Sequence, residues 1–66
     1  MRKHSVVLFG HATSLSLEDE FWEELQKIAE RKKCPLRVLI AEIDKNRTTN
    51  LSSALRVFIL KSLKSE

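Results

Sequence analysis

Apolar and polar residues alternate near the start of the chain and recur every three or four positions further on. The strictest alternation covers residues 12–17, and a period of two is typical of a half-buried strand. A single strand leaves a row of backbone N–H and C=O groups unpaired. Its partner is therefore either the N-terminal segment or a second copy of the protein. One side of the strand carries Thr13, Leu15 and Leu17, and the other carries Ala12, Ser14 and Ser16.

The N-terminal segment Val6–Phe9 has the β-branched and aromatic composition of an extended stretch. Its apolar side chains point to both sides, so we expect both sides to be covered. Gly10 follows directly and indicates a bulge, bend or turn. The segment can therefore fold back on the strand, or continue it as an arm exchanged between subunits, and the pattern leaves both arrangements open.

A helical period begins at Glu18 and continues to Lys33. The first turns are acidic and the last turn is basic, which complements the helix dipole at both ends. We expect Cys34-Pro35 to end this helix, because proline disfavours an α conformation at the residue before it. The face predicted to be buried carries Phe21, Trp22, Leu25, Ile28 and Ala29.

Two further helices are predicted, over residues 35–46 and 51–64. Asn50 is a suitable N-cap for the second of these, with its side-chain oxygen within reach of the N–H of Ser52 or Ser53. This last helix is apolar over most of its circumference, so it requires burial on more than one side and is expected in a subunit interface. The buried faces carry Leu36, Leu39, Ile40 and Ile43 in the first helix and Leu51, Ala54, Leu55 and Phe58 in the second.

Length and composition favour an oligomer. The chain has 66 residues and only one cysteine, and a single domain below roughly 70–80 residues seldom builds a sufficient core alone. Because Cys34 has no second cysteine to pair with, no internal disulfide is possible. The net charge of +3 and the pI near 9.4 permit nucleic-acid binding without demonstrating it.

Other functional classes find little support in the residues. His4, His11 and Cys34 lack the close spacing of a metal-ligand motif, and we interpret both histidines as polar surface. No serine has a positioned base or a glycine-rich elbow, so neither an enzyme nor a cofactor is predicted. No stretch is long and apolar enough for a membrane span or a secretory signal. We therefore expect a cytoplasmic protein.

One alternating strand followed by two amphipathic helices with a tight connection resembles the ribbon-helix-helix family of the Arc, MetJ and CopG type. The resemblance covers residues 12–46, and a narrower likeness to short bacterial members with an added C-terminal helix covers nearly the whole chain. The predicted fold is mainly α with a short β-ribbon, in a single domain over 1–66 with an arm at 5–9, a strand at 11–17 and helices at 18–33, 35–46 and 51–64. The stretches that carry the narrower likeness are Gly10-His11, Thr13-Ser14, Glu20-Phe21-Trp22, Ala41-Glu42-Ile43-Asp44 and Asn50–Phe58.

The resemblance implies an intertwined homodimer whose two chains form an antiparallel ribbon that enters the DNA major groove. It implies that Ala12, Ser14 and Ser16 face the bases, and that the N–H groups of Leu36 and Arg37 bind a phosphate. Arg2 and Lys3 are the further basic residues expected at phosphates. The implied dimer core consists of Thr13, Leu15, Leu17, Phe21, Trp22, Leu25, Ile28, Leu39, Ile40, Ile43, Leu55 and Phe58.

Three positions depart from the family pattern. Ala12 stands where relatives often carry Arg or Lys, Lys33 where a Gly is common, and Pro35 where Ser or Thr is usual. These departures predict weaker and less selective DNA binding than a typical member shows. A protein-interaction or antitoxin-like dimerisation module on the same scaffold is the alternative, and it gains if Val6–Phe9 folds over the outer face of the ribbon.

Overall fold

A two-stranded antiparallel ribbon is followed by three helices. This confirms the predicted mainly α fold with a short β-ribbon and an added C-terminal helix. The structure is a computed structural model and describes residues 1–65. In chain order the elements are β1 (Arg2–Leu8), β2 (His11–Leu17), α1 (Asp19–Lys32), α2 (Leu36–Asn46) and α3 (Leu51–Lys64).

Both strands of the ribbon belong to the same chain. β2 pairs with β1 in a continuous register from Leu8 opposite His11 to Arg2 opposite Leu17. The two residues between them, Phe9 and Gly10, have φ values of 52° and 79°. Positive φ at both central residues defines the type I′ turn, whose twist matches that of the two strands it joins. Here the structure departs from the resemblance, which implied that the partner of β2 is a second copy.

The inner face of the ribbon packs on the helices. Leu15 and Leu17 of β2 are buried, and Leu8 of β1 is buried beside them. α2 contacts β1, and α3 contacts β2. The core common to the ribbon and the helices consists of Leu8, Leu15, Leu17, Leu25, Ile28, Ala29, Leu39, Ile40, Leu55 and Ile59.

Most residues implied for a dimer core lie in the core of a single chain. Leu15, Leu17, Leu25, Ile28, Leu39, Ile40 and Leu55 are buried, and Phe21, Trp22, Ile43 and Phe58 are half-buried against them. Thr13 differs because it is exposed. Close to the turn, the helices therefore cover β1, where Leu8 is buried. They leave β2 uncovered there, and Thr13 is open to solvent.

The residue before each of the first two helices is extended and fixes where the helix begins. Glu18 and Pro35 have φ and ψ near −60° and 145°, so α1 and α2 begin one residue later than predicted. Asn50 caps α3 as expected, with its side-chain oxygen accepting a hydrogen bond of 2.9 Å from the N–H of Ser53.

The C-terminus of α1 is closed by a residue in the left-handed conformation. Lys33 has φ 57° and ψ 41°, and its N–H donates to the carbonyl of Glu30. The N–H of Cys34 donates to the carbonyl of Ala29 at 3.1 Å. These two bonds form a Schellman motif, in which glycine is the usual left-handed residue because it has no Cβ to crowd the following carbonyl.

We expect Lys33→Gly to stabilise the fold by about 1 kcal/mol, because glycine removes the strain of a left-handed lysine. The measurement is the free energy of unfolding in urea. Lys32→Gly is the matched control: it is the last residue of α1 and has a negative φ, so glycine should not stabilise there and should cost up to about 1 kcal/mol. Equal destabilisation by both substitutions would contradict the assigned conformation of Lys33.

Candidate nucleic-acid interface

The outer face of the ribbon is a two-row array of side chains directed away from the core. Residues directly opposite each other in an antiparallel pair point to the same side. The outer face therefore consists of three cross-strand pairs, Lys3 with Ser16, Ser5 with Ser14, and Val7 with Ala12.

The three residues expected to face the bases all lie on this outer face. Ala12 and Ser14 are exposed, and Ser16 is half-buried. Val6–Phe9 lies beside β2 as part of the hairpin, and not over it. The N-terminal segment therefore leaves the outer face open. Sequence reasoning missed the second row, which β1 contributes, although Lys3, Ser5 and Val7 show the same alternation.

A stacked aromatic pair holds β1 against α1. The rings of His4 and Trp22 are parallel to within 6°, with centroids 3.6 Å apart. His4 therefore lies on the inner face, and the interpretation of it as polar surface is wrong. Its Nε2 atom is buried and has no hydrogen-bond partner among the described residues. The flat contact with the indole ring explains the placement, since it covers the ring face of the imidazole.

Polar contacts with α3 hold the other end of β2. The hydroxyl of Ser52 donates to the carbonyl of Ser16 at 2.8 Å. Arg56 donates from Nε and Nη2 to the two carboxylate oxygens of Glu18, at 2.9 and 3.3 Å. This two-point contact joins the β2–α1 junction to α3 across 38 positions of sequence.

The guanidinium of Arg56 lowers the pKa of Glu18 below its ordinary value of 4.5, because it donates a hydrogen bond to the ionised carboxylate. Ionised Glu18 therefore stabilises the fold at neutral pH, and this contribution decreases as the carboxylate becomes protonated in acid. The contact also links the orientation of the ribbon to the position of α3.

The residues expected at phosphates occupy two regions. Arg2 lies at the open end of the ribbon, where its Nε is 3.3 Å from a carboxylate oxygen of Asp19, and Lys3 lies on the outer face. Leu36 and Arg37 are the first two residues of α2, whose N-cap Pro35 provides no side-chain hydrogen bond. The N–H groups of a first helical turn have no acceptor within the helix. The N–H groups of Leu36 and Arg37 therefore have no acceptor within α2, and their contact with a phosphate stays a prediction.

A separate apolar surface lies on α3. Val57, Leu60 and Leu63, here called the α3 stripe, are between 42% and 51% exposed. Val57 also lines a groove of about 590 Å³ between α2 and α3. The apolar side chains of that groove are Leu39, Ile43, Ala54, Val57 and Phe58. The stripe and the groove are therefore continuous.

Comparison with known proteins agrees with this geometry. The family model described as "Ribbon-helix-helix domain" matches residues 1–63. The chain belongs to this family. Neither the comparison with curated proteins nor the comparison with solved structures gave a match. The match includes β1 and all but the last residue of α3, so the hairpin and the third helix both belong to this ribbon-helix-helix domain.

Other kinds of site can be addressed only for the described residues. Residues 1–65 contain no group of three or more His, Cys, Asp or Glu side chains placed to hold a metal ion. The ribbon-helix-helix domain has no helix, in the part of the chain that the structure describes, that is long and apolar enough to cross a membrane.

We expect Glu18→Gln to destabilise the ribbon-helix-helix domain at about pH 7 and to have progressively less effect as the pH falls below the ordinary pKa of glutamate. The reason is that protonated wild-type Glu18 loses the same charged contact with Arg56 that the variant lacks. Urea unfolding from about pH 7 to about pH 3 measures the difference between the two proteins.

Glu20→Gln is the matched control, because it removes a carboxylate from the same helix start while Arg56 donates to Glu18. A difference between wild type and Glu18→Gln that stays constant across the whole pH range would show that the Arg56 contact is not the cause.

Proposed function

We propose that this protein is a homodimeric DNA-binding protein, a small transcriptional regulator of the bacterial cytoplasm that inserts its β1–β2 ribbon into the major groove. One observation carries the proposal: the ribbon is anchored to the core by its inner face, while Ala12 and Ser14 on its outer face are exposed. An anchored ribbon with one open polar face is suited to direct contact with base edges.

The dimensions and chemistry of the ribbon support this placement. Two paired strands lie about 4.8 Å apart, and the major groove is about 12 Å wide, which admits a two-stranded ribbon. Ser14 and Ser16 can donate to or accept from base edges, and Ala12 can contact a thymine methyl group. Arg2, Leu36 and Arg37 are the proposed phosphate contacts, which position the ribbon without reading sequence.

We place the dimer contact on the α3 stripe and not on the free edge of β2. Pairing β2 with a second β2 would make a four-stranded sheet whose outer strands are about 14 Å apart, which exceeds the width of the major groove. The carbonyl of Ser16 is moreover already bonded to Ser52. The α3 stripe offers contiguous apolar surface that a second copy can bury.

Titration of random-sequence and genomic duplexes tests DNA binding. We expect affinity to fall steeply with salt, because protein cations displace counterions from phosphates. Ser14→Glu should weaken binding on the order of 100-fold or more, because it places an unpaired carboxylate against the base edges.

Thr13→Glu is the matched control. It adds the same charge at the next residue, on the opposite face of the ribbon and at an exposed position, so only a few-fold loss is expected from the changed net charge. A folded dimer that binds no duplex at any salt concentration would falsify the proposal. Equal losses for both variants would exclude the outer face as the reading face.

The dimer contact has its own test. Leu60→Glu should raise the dimer dissociation constant on the order of 100-fold or more, because it places a charge in an apolar contact. Light scattering coupled to gel filtration measures the mass in solution. Phe9→Glu is the control, since Phe9 is 64% exposed and lies at the ribbon turn. A wild-type monomer, or loss of the dimer in Phe9→Glu alone, would contradict the assignment.

The exposure of the α3 stripe favours a second candidate function, a protein-interaction or antitoxin-like module with weak or no DNA binding. In that case a different protein covers the stripe and the groove beside it. Three outcomes together identify this function: no duplex binding by the wild-type protein, an undisturbed fold, and a stoichiometric partner that Leu60→Glu releases.

A further inference from the structure

The cross-strand register gives the reading face a second row of side chains. β1 presents Lys3, Ser5 and Val7 directly opposite Ser16, Ser14 and Ala12. All three β1 residues are exposed, and Val7 remains 58% accessible although it is apolar. A two-stranded ribbon that enters the groove therefore places β1 side chains against the DNA together with those of β2.

The side chains on the outer face change from charged to polar to apolar between the open end of the ribbon and its turn. The pair nearest the chain terminus carries the ammonium group of Lys3, the middle pair carries two hydroxyl groups, and the pair nearest the turn carries the methyl groups of Val7 and Ala12. An ammonium group matches the O6 and N7 acceptors of guanine, and small apolar groups match the methyl group of thymine. The face thus has a donor end and an apolar end.

Lys3 differs from its neighbour Arg2 in orientation and in partners. Arg2 lies on the inner side of the strand and forms an ion pair with Asp19. Among the described residues, no carboxylate forms an ion pair with Lys3. The cation on the outer face is therefore available to the ligand, and it supplies the positive donor that Ala12 lacks.

We propose that β1 is a second reading strand, in which Lys3 contacts the acceptor edge of a guanine and Val7, together with Ala12, contacts the methyl group of a thymine. This inference rests on the proposed DNA-binding function and reassigns Lys3 from the phosphates to the bases. Lys3 and Val7 are four residues apart, which is roughly 13 Å along a strand. With base pairs spaced about 3.4 Å apart, the guanine and the thymine lie roughly three to four base pairs from each other.

Modified bases test each contact at the level of single atoms. A duplex selected from a random pool by the wild-type protein is remade with 7-deazaguanine, which lacks the N7 acceptor, and separately with uracil, which lacks the thymine methyl group. Wild-type affinity should fall roughly tenfold or more with 7-deazaguanine and roughly fourfold with uracil. Lys3→Ala should be insensitive to the first change, and Val7→Ala should lose most of its sensitivity to the second, because only the smaller contact of Ala12 with the methyl group remains.

Arg2→Ala is the matched control: it removes a neighbouring cation from the opposite side of β1. Because Arg2 is a proposed phosphate contact, this variant should bind all duplexes more weakly by the same factor and keep both sensitivities. Circular dichroism verifies that each variant is folded. The inference is overturned if Lys3→Ala weakens binding equally to all duplexes and lowers the salt slope by about one, which identifies a phosphate contact. It is overturned equally if the selected site lacks a guanine and a thymine at this spacing. Failure of the wild-type protein to bind any duplex would contradict the proposed DNA-binding function itself. That outcome is therefore distinguishable from failure of the inference about β1 alone.

Discussion

The pairing of β1 with β2 through the Phe9-Gly10 turn determines which side chains face the core and which face solvent. Side chains alternate along a strand, so a shift of the register by one residue would move Leu15 and Leu17 to the solvent side and the serines to the core side. The turn sets that register because only two residues connect the strands. The buried inner face and the open outer face both follow from this short connection.

The helices and β2 could be predicted from the sequence because their signals are local. The three- and four-residue period marks the core faces, and Asn50 caps α3 through a bond to Ser53, three residues away. Gly10 indicated a bulge, bend or turn at this point, but a bulky residue with positive φ is uncommon, so Phe9 gave no sign that the two residues form a tight type I′ turn. The fold-back of β1, and with it the intrachain ribbon, was therefore left open by the sequence pattern.

The candidate site shows the same division between local and distant signals. Ala12 and Ser14 lie on the outer face because alternation alone places them there. The contact of Arg56 with Glu18 spans 38 positions and has no local pattern. The His4–Trp22 stack likewise depends on how β1 crosses α1. Sequence periodicity identifies the outer face of the ribbon, whereas the contacts that hold this face in place emerge only from the tertiary structure.

An intrachain ribbon changes what the proposed dimer would contribute to DNA binding. A ribbon shared between two chains provides one ribbon per dimer for the major groove, whereas a complete ribbon in each chain provides two. The longest dimension of one protomer is 33 Å, which is close to the roughly 34–36 Å between successive major-groove positions on one side of the duplex. In the proposed dimer, two protomers joined through α3 would present their ribbons to two half-sites. Joining the two ribbons in this proposed dimer would raise the effective concentration of the second once the first is bound. This gain would offset the weak reading expected of Ala12, Ser14 and Ser16.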